Sequence, residues 1–183
     1  MTLEHALIAY ASPTLARLKT GSLFTAPRGL SALVGDIRRL NRILLPRGVR
    51  LIALRCETQR TLLYLYRIQA LQDALTRPAV QLLLSSFGYR RFTVQAALLT
   101  LRSRLSGMGG FPHEIGLFLG YPPEDVIGFI RNRGRNCLCS GCWKAYANPA
   151  EARRTFARYD KCRAVYARCF ADGFPLSRLT VRA

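Results

Sequence analysis

Between residues 49 and 67 the chain carries the pattern that most limits its fold. Val49 to Cys56 alternates Val49, Leu51 and Ala53 against Arg50, Ile52 and Leu54, and Thr61 to Tyr66 is rich in Leu and Tyr. Glu57-Thr58-Gln59-Arg60 lies between them. A period of two sends successive side chains to opposite faces, and a short polar connection suits antiparallel neighbours, so a β-hairpin is predicted over 49–67. A two-stranded hairpin cannot stand alone and needs partners to cover its apolar face.

Most other segments have a helical period. Residues 3–19 read as helix broken at Ser12-Pro13, where Ser would cap a second turn and Pro take an early helical position. Gly21 to Pro27 reads as a short extended segment or loop. From Gly29 to Leu45, apolar residues recur at three and four, and Pro46 and Gly48 close that amphipathic helix. Helical stretches are predicted near 68–75, 78–86 and 93–106, ending at Gly107-Met108-Gly109-Gly110, the candidate hinge at 107–110. Two short Pro-started helices at 112–119 and 122–132 follow, then a cysteine-rich loop at 134–142 and a strand near 143–147. Asn148-Pro149-Ala150-Glu151 opens the last long helix with Asn as N-cap, Pro at N1 and Glu at N3. Helices outnumber strands, so the predicted class is α+β, a helix-rich single domain over 1–183 with a small antiparallel sheet.

The 183 residues suffice for one hydrophobic core, and an apolar content of 50% excludes a disordered basic tail. No apolar run approaches the ~20 residues of a membrane-spanning helix. Glu4 stands where a secretory signal carries basic residues, so a cytoplasmic location without membrane insertion is expected. The formal net charge of +18 points towards nucleic acid. Yet 25 of the 28 basic residues are arginines, dispersed in pairs and triplets. A GC-rich coding sequence produces the same excess, so a functional and a compositional reading both stand. Against that background Lys19, Lys144 and Lys161 are conspicuous, because Lys supplies a compact ammonium able to lose its proton.

The densest segment is Phe111-Pro112-His113-Glu114-Ile115-Gly116-Leu117-Phe118-Leu119-Gly120-Tyr121-Pro122. With Pro112 at the first helical position, His113 and Glu114 fall in the first turn. There Glu114 can return to the N-cap amide, and His113 beside free N–H groups keeps a nitrogen lone pair for a metal or proton. The spacing of Ile115-Gly116, Leu119-Gly120, Val126 and Phe129 imitates a helix-turn-helix. The second helix, however, begins Pro122-Pro123-Glu124-Asp125, placing carboxylates where phosphates would lie. A helical hairpin serving packing is therefore favoured over a DNA reader.

Cys137-Leu138-Cys139-Ser140-Gly141-Cys142 is followed by Cys162 and Cys169, with Cys56 apart. The spacing to Cys162 resembles a zinc ribbon, but Cys162 and Cys169 are seven residues apart on one helix, about 10 Å along its axis. One tetrahedral zinc cannot hold both. They share a helix face with Phe156, Tyr159, Tyr166 and Phe170, the pattern of a core face. A metal set of Cys139, Cys142, Cys162 and His113, a redox-active C-x-x-C, and packed thiols are the three readings.

These residues together resemble an uncharacterised prokaryotic family, domain of unknown function 3793. The Phe111–Pro122 segment with Gly128-Phe129-Ile130 carries the resemblance. So do Ser12-Pro13-Thr14-Leu15-Ala16 to Lys19, Leu23-Phe24, Cys142-Trp143-Lys144-Ala145-Tyr146, and Phe156 through Tyr159 to Lys161-Cys162. All three lysines fall inside these segments. The resemblance implies a setting in iron, haem or redox handling, with a small redox protein such as a flavodoxin as partner.

The leading expectation is a metal- or cofactor-binding or redox-accessory protein. Its site would form where His113-Glu114 approaches Cys139, Cys142, Trp143, Lys144 and Cys162. His113 and the thiolates would ligate iron, zinc or a haem-like group, and Lys19, Tyr121, Trp143 and Lys144 would complete the cofactor contacts. A second expectation is an enzyme with Cys142 as nucleophile and His113 as base, Glu114 and Lys144 being further catalytic candidates. Nucleic-acid binding through the arginine surface is the third.

Overall fold

A computed structural model describes residues 2–107 and 110–182. The predicted hairpin is present as β2 (Val49–Cys56) and β3 (Thr61–Arg67), antiparallel, with a register shift between Ala53 and Arg55. Residues 21–26, read as an extended segment or loop, form a third strand, β1 (Gly21–Ala26), paired antiparallel with β3. The sheet order is β1-β3-β2, so the hairpin's second strand is the centre.

Helices cover both faces. The alternation of β3 places Leu63 and Leu65 in one core with Leu7, Leu15, Leu33 and Leu40. These come from α1 (Leu3–Leu15) and α2 (Leu30–Leu44), and Tyr166 and Phe170 of α8 (Pro149–Ala171) pack against them. Tyr64 and Tyr66 point the other way, into a core built with α3 (Ile68–Leu75), α4 (Pro78–Ser86), α5 (Val94–Ser106), α6 (Ile115–Phe118) and α7 (Pro123–Arg131). The fold is helix-rich α+β with a small antiparallel sheet, as predicted. A second, two-stranded hairpin, β4 (Cys139–Ser140) with β5 (Lys144–Ala145), sits beside α7 and α8.

Two helices depart from their predicted bounds. α1 runs through Ser12-Pro13 without breaking: the Ser12 hydroxyl donates back to the Ile8 carbonyl instead of capping a new turn, and Pro13 lies in the closing turn. The helix ends two residues later, where Arg17 takes a left-handed φ of 64° and the Leu18 and Lys19 amides both donate to Pro13 O. Towards 112–119 the regular helix is only Ile115–Phe118, because Pro112 to Glu114 form the turn that leads into it. Asn148 caps α8 as predicted, accepting from the Glu151 amide at 3.1 Å. Of the candidate hinge, Met108 and Gly109 lie outside the described residues, and Gly107 ends α5. No helix among the described residues is long and apolar enough to cross a membrane.

Candidate functional site

Local sequence sets the scaffold. Gly116 lets α6 lie against α7, since a Cβ there would fall 2.8 Å from Val126 Cγ2. The helical hairpin thus packs on itself. Gly128 does the same for the second contact: its Cβ would meet Tyr146 Cβ at 2.5 Å, so α7 lies directly against the chain leaving β5. Asp125, in the first turn of α7, fastens the two together. It is buried and accepts from Trp143 Nε1 at 2.7 Å, from the Tyr146 amide at 2.7 Å and from the Ala147 amide at 3.0 Å. Of the two carboxylates read as facing outward from this helix start, only Glu124 is exposed.

Between α6–α7 and the β4–β5 hairpin lies a cavity of about 300 Å³, walled by Tyr121, Phe129 and Trp143, with His113 and Lys144 supplying its basic groups and Asp125 its carboxylate. His113 is exposed and its ring packs 4.9 Å from that of Phe129. Tyr121 stacks on Trp143 at 5.0 Å and 26°, and Phe156 meets Trp143 edge-on at 4.6 Å. The Lys144 ammonium donates to Gly134 O at 2.7 Å, which holds the Arg133–Arg135 turn beside the hairpin. Four of the five side chains expected to contact a cofactor, His113, Tyr121, Trp143 and Lys144, therefore line one cavity.

The fifth, Lys19, touches the same aromatic group from outside that lining. Its ammonium lies over the Tyr121 ring at 5.2 Å and 6.0 Å from the Tyr159 ring centre. Burial lowers its pKa to about 8; the Cys142 thiol opposes that shift and the Arg163 guanidinium adds to it. Cys142 accepts a hydrogen bond from Arg163 Nη2 at 3.2 Å, and its carbonyl accepts from the Tyr121 hydroxyl at 3.0 Å. Burial first, then Cys142 and Tyr159, push the Tyr121 hydroxyl above its ordinary range. Tyr159 is raised to about 12 for the same leading reason.

The four-residue metal set does not assemble. Among the described residues no group of three or more His, Cys, Asp and Glu side chains could hold a metal ion. Cys142 turns towards Arg163, Cys139 Sγ approaches Pro149 O at 3.7 Å, and His113 packs against Phe129. Cys162 is buried on α8, where desolvation raises its thiol pKa, and Cys169 packs on the sheet's leucine side. All six cysteines are free thiols. No hydrogen bond joins Cys142 to His113 in the arrangement expected of a nucleophile and its base, because the thiol is held by Arg163 instead.

Glu114 serves a different purpose from the expected cap. It is 1% exposed, forms an ion pair with Arg104 of α5 and accepts from the Tyr89 hydroxyl at 3.2 Å. Such a carboxylate pins the turn carrying His113 to α5, and burial with the adjacent Glu114 charge pushes the Tyr89 hydroxyl well up. Lys161 is exposed on α8. Arg131, Arg133 and Arg135 are exposed at the far end of α7, beyond Glu124 at its start.

Sequence reading missed Asp125 and Arg163. Asp125 was visible only as an acid at a helix start; its pairing with Trp143 depends on the hairpin's fold. Arg163 was one arginine among 25. Phe129 did carry a signal, standing in the Gly128-Phe129-Ile130 segment.

No curated protein and no solved structure matches the chain. A family model matches residues 7–180, spanning all of the elements described above except the first turn of α1. The chain belongs to DUF3793, a family of proteins of unknown function.

Proposed function

We propose that this protein binds a planar, anionic organic cofactor between α7 and the β4–β5 hairpin, as a binding or redox-accessory protein in iron or haem handling. The observation that carries this reading is the lining of one cavity by His113, Tyr121, Trp143 and Lys144. Aromatic walls suit a flat ring system, which stacks or packs edge-on with little loss of freedom. Lys144 at the margin suits a carboxylate or phosphate substituent. His113 offers a single imidazole to this cavity, which would supply one nitrogen ligand to an iron already held by a macrocycle. A bare zinc ion, by contrast, takes four ligands in a structural site. At about 300 Å³ the cavity is at the small end of ligand sites, so it takes one fused ring system or the edge of a macrocycle.

The exposed Arg131, Arg133 and Arg135 adjoin Lys144 through the Gly134 contact and give this margin a positive rim. A small acidic redox protein, of the flavodoxin kind, is the partner chemistry that rim favours.

Trp143 is the single tryptophan of the chain, so its emission reports directly on the cavity. Titration with hemin and, separately, with flavin mononucleotide tests the reading and separates a macrocycle from a flavin. Saturable quenching by one of them is expected, weakened about tenfold by Lys144→Gln. If hemin is the ligand, His113→Ala also shifts its Soret band. The reading is abandoned if neither probe quenches saturably, or if both variants bind as the parent does.

A further inference from the structure

A second cavity, of about 510 Å³, lies on the tyrosine side of the sheet at its β2 edge, well apart in composition from the one above. It is lined by Ile52, Ile68, Val94, Leu98 and Leu99, and by the polar side chains of Arg50, Tyr66, Gln95 and Arg102. Its construction follows from register. Arg50 of β2 pairs directly across from Tyr66 of β3, and side chains directly opposite each other share a face. Residues 94, 95, 98, 99 and 102 of α5 fall on one side of that helix and close the groove.

Two features call for a ligand. Tyr66 is 2% exposed as a residue, yet the groove reaches it, with Arg50 directly across from it on β2 and lining the same groove. A phenol is protonated at neutral pH, and burial raises this one further, so its hydroxyl is available as a donor. The two arginines form no ion pair among the described residues, and no carboxylate lines the groove. Beside them, Leu99 is 59% exposed. An apolar trough, two uncompensated guanidiniums and a phenol donor complement one kind of molecule: an apolar body with a single anionic head.

We propose that this groove binds a small amphiphilic anion of the alkyl-carboxylate type, its chain along Ile52, Ile68, Leu98 and Leu99 and its head between Arg50, Arg102 and the Tyr66 hydroxyl. A volume of about 510 Å³ is within the range of small-molecule sites. Affinity comes mostly from apolar burial, while the exposed arginines, each a modest contribution in water, select the charged head. The site shares no lining residue with the aromatic cavity, so the two stand or fall separately.

Decanoate and decanol, titrated calorimetrically into the full chain, test the proposal. One decanoate is expected per chain, with decanol about tenfold weaker because it lacks the charge that the arginines meet. Arg50→Gln/Arg102→Gln should weaken decanoate by about the same factor while leaving the circular dichroism spectrum unchanged, both positions being exposed. Leu99→Glu, which sets a carboxylate in the trough, should weaken it further. His113→Ala should leave it untouched. Equal affinity for decanol and decanoate, parent-like binding by the double variant, loss of binding in His113→Ala, or no saturable binding overturns the proposal.

Discussion

Asp125 accepts the indole N–H of Trp143 at 2.7 Å, a bond from the start of one helix to the tip of a two-stranded hairpin. The same carboxylate takes the amides of Tyr146 and Ala147, so a single buried charge orients the aromatic wall and closes the chain behind it. The acid is satisfied by three donors and has no need of a cation, which fits its burial.

Asp125→Ala removes both acceptor oxygens, and with them three hydrogen bonds, and strands the indole and two amides. Since hydrogen bonds to a buried charge contribute about 1.5–3 kcal/mol and orphaned donors add a desolvation cost, a loss of roughly 2–4 kcal/mol is expected in urea unfolding. Trp143 emission should shift to the red in the folded variant as the hairpin loosens. An unshifted spectrum with parent stability would mean that the hairpin is held by other contacts.

Lys19 makes a pH-dependent contribution whose sign is opposite to that of a salt-bridged lysine. Its folded pKa of about 8 lies below the unfolded value of 10.5. Between these values the unfolded chain binds the extra proton, so stability rises as pH increases from about 8 towards 10. Above that, Tyr121 and Tyr159, raised by burial, pull stability down again. Relative to Lys19→Met, the parent should gain on the order of 1–3 kcal/mol across this window, read from urea midpoints at each pH. A pH-independent difference between the two proteins would contradict the buried placement of the ammonium.

Arg163 donates to the Cys142 sulfur at 3.2 Å, and the guanidinium so placed covers the thiol and fixes its direction. Iodoacetamide should therefore modify Cys142 several-fold faster in Arg163→Ala, which uncovers the sulfur, than in the parent at neutral pH, as followed by mass spectrometry of the peptide. Cys162, buried and raised by desolvation, should react slowly in both. Equal rates at Cys142 would show that the contact does not tune its reactivity.

What the sequence revealed was what local periodicity controls. The 49–67 hairpin, the amphipathic α2 and the Asn148 cap were legible because each depends on neighbours within a turn or a strand pair. The class followed from them. β1 was harder, since Gly21 to Ala26 becomes a strand only by pairing with β3, some forty residues later. In α1, Pro13 suggested a break, but a proline in the closing turn is accommodated there, and the Ser12 hydroxyl went back to Ile8. His113, Trp143 and Lys144 could be singled out by type and rarity, and all three line the one cavity. Glu114 could not be told from a capping acid, because its partners Arg104 and Tyr89 come from other segments. The cysteine set failed for the same reason: spacing along the chain says nothing about which way a thiol turns once Arg163 is beside it.

The division of β3 into leucines on one side and tyrosines on the other bears on how the chain avoids misassembly. Tyr64 is fully buried, and its hydroxyl finds an acceptor in the Phe118 carbonyl at 2.5 Å. Were the central strand to slip by one residue against its neighbours, every side chain would change face. Two phenols would then enter an aliphatic layer with no acceptor, while leucines would leave the Phe118 carbonyl unanswered, and each mistake carries its own desolvation cost. The strand therefore works as a lock with two keyed sides: only one register lets both layers close, and the layer holding the aromatic cavity inherits its alignment from that single strand.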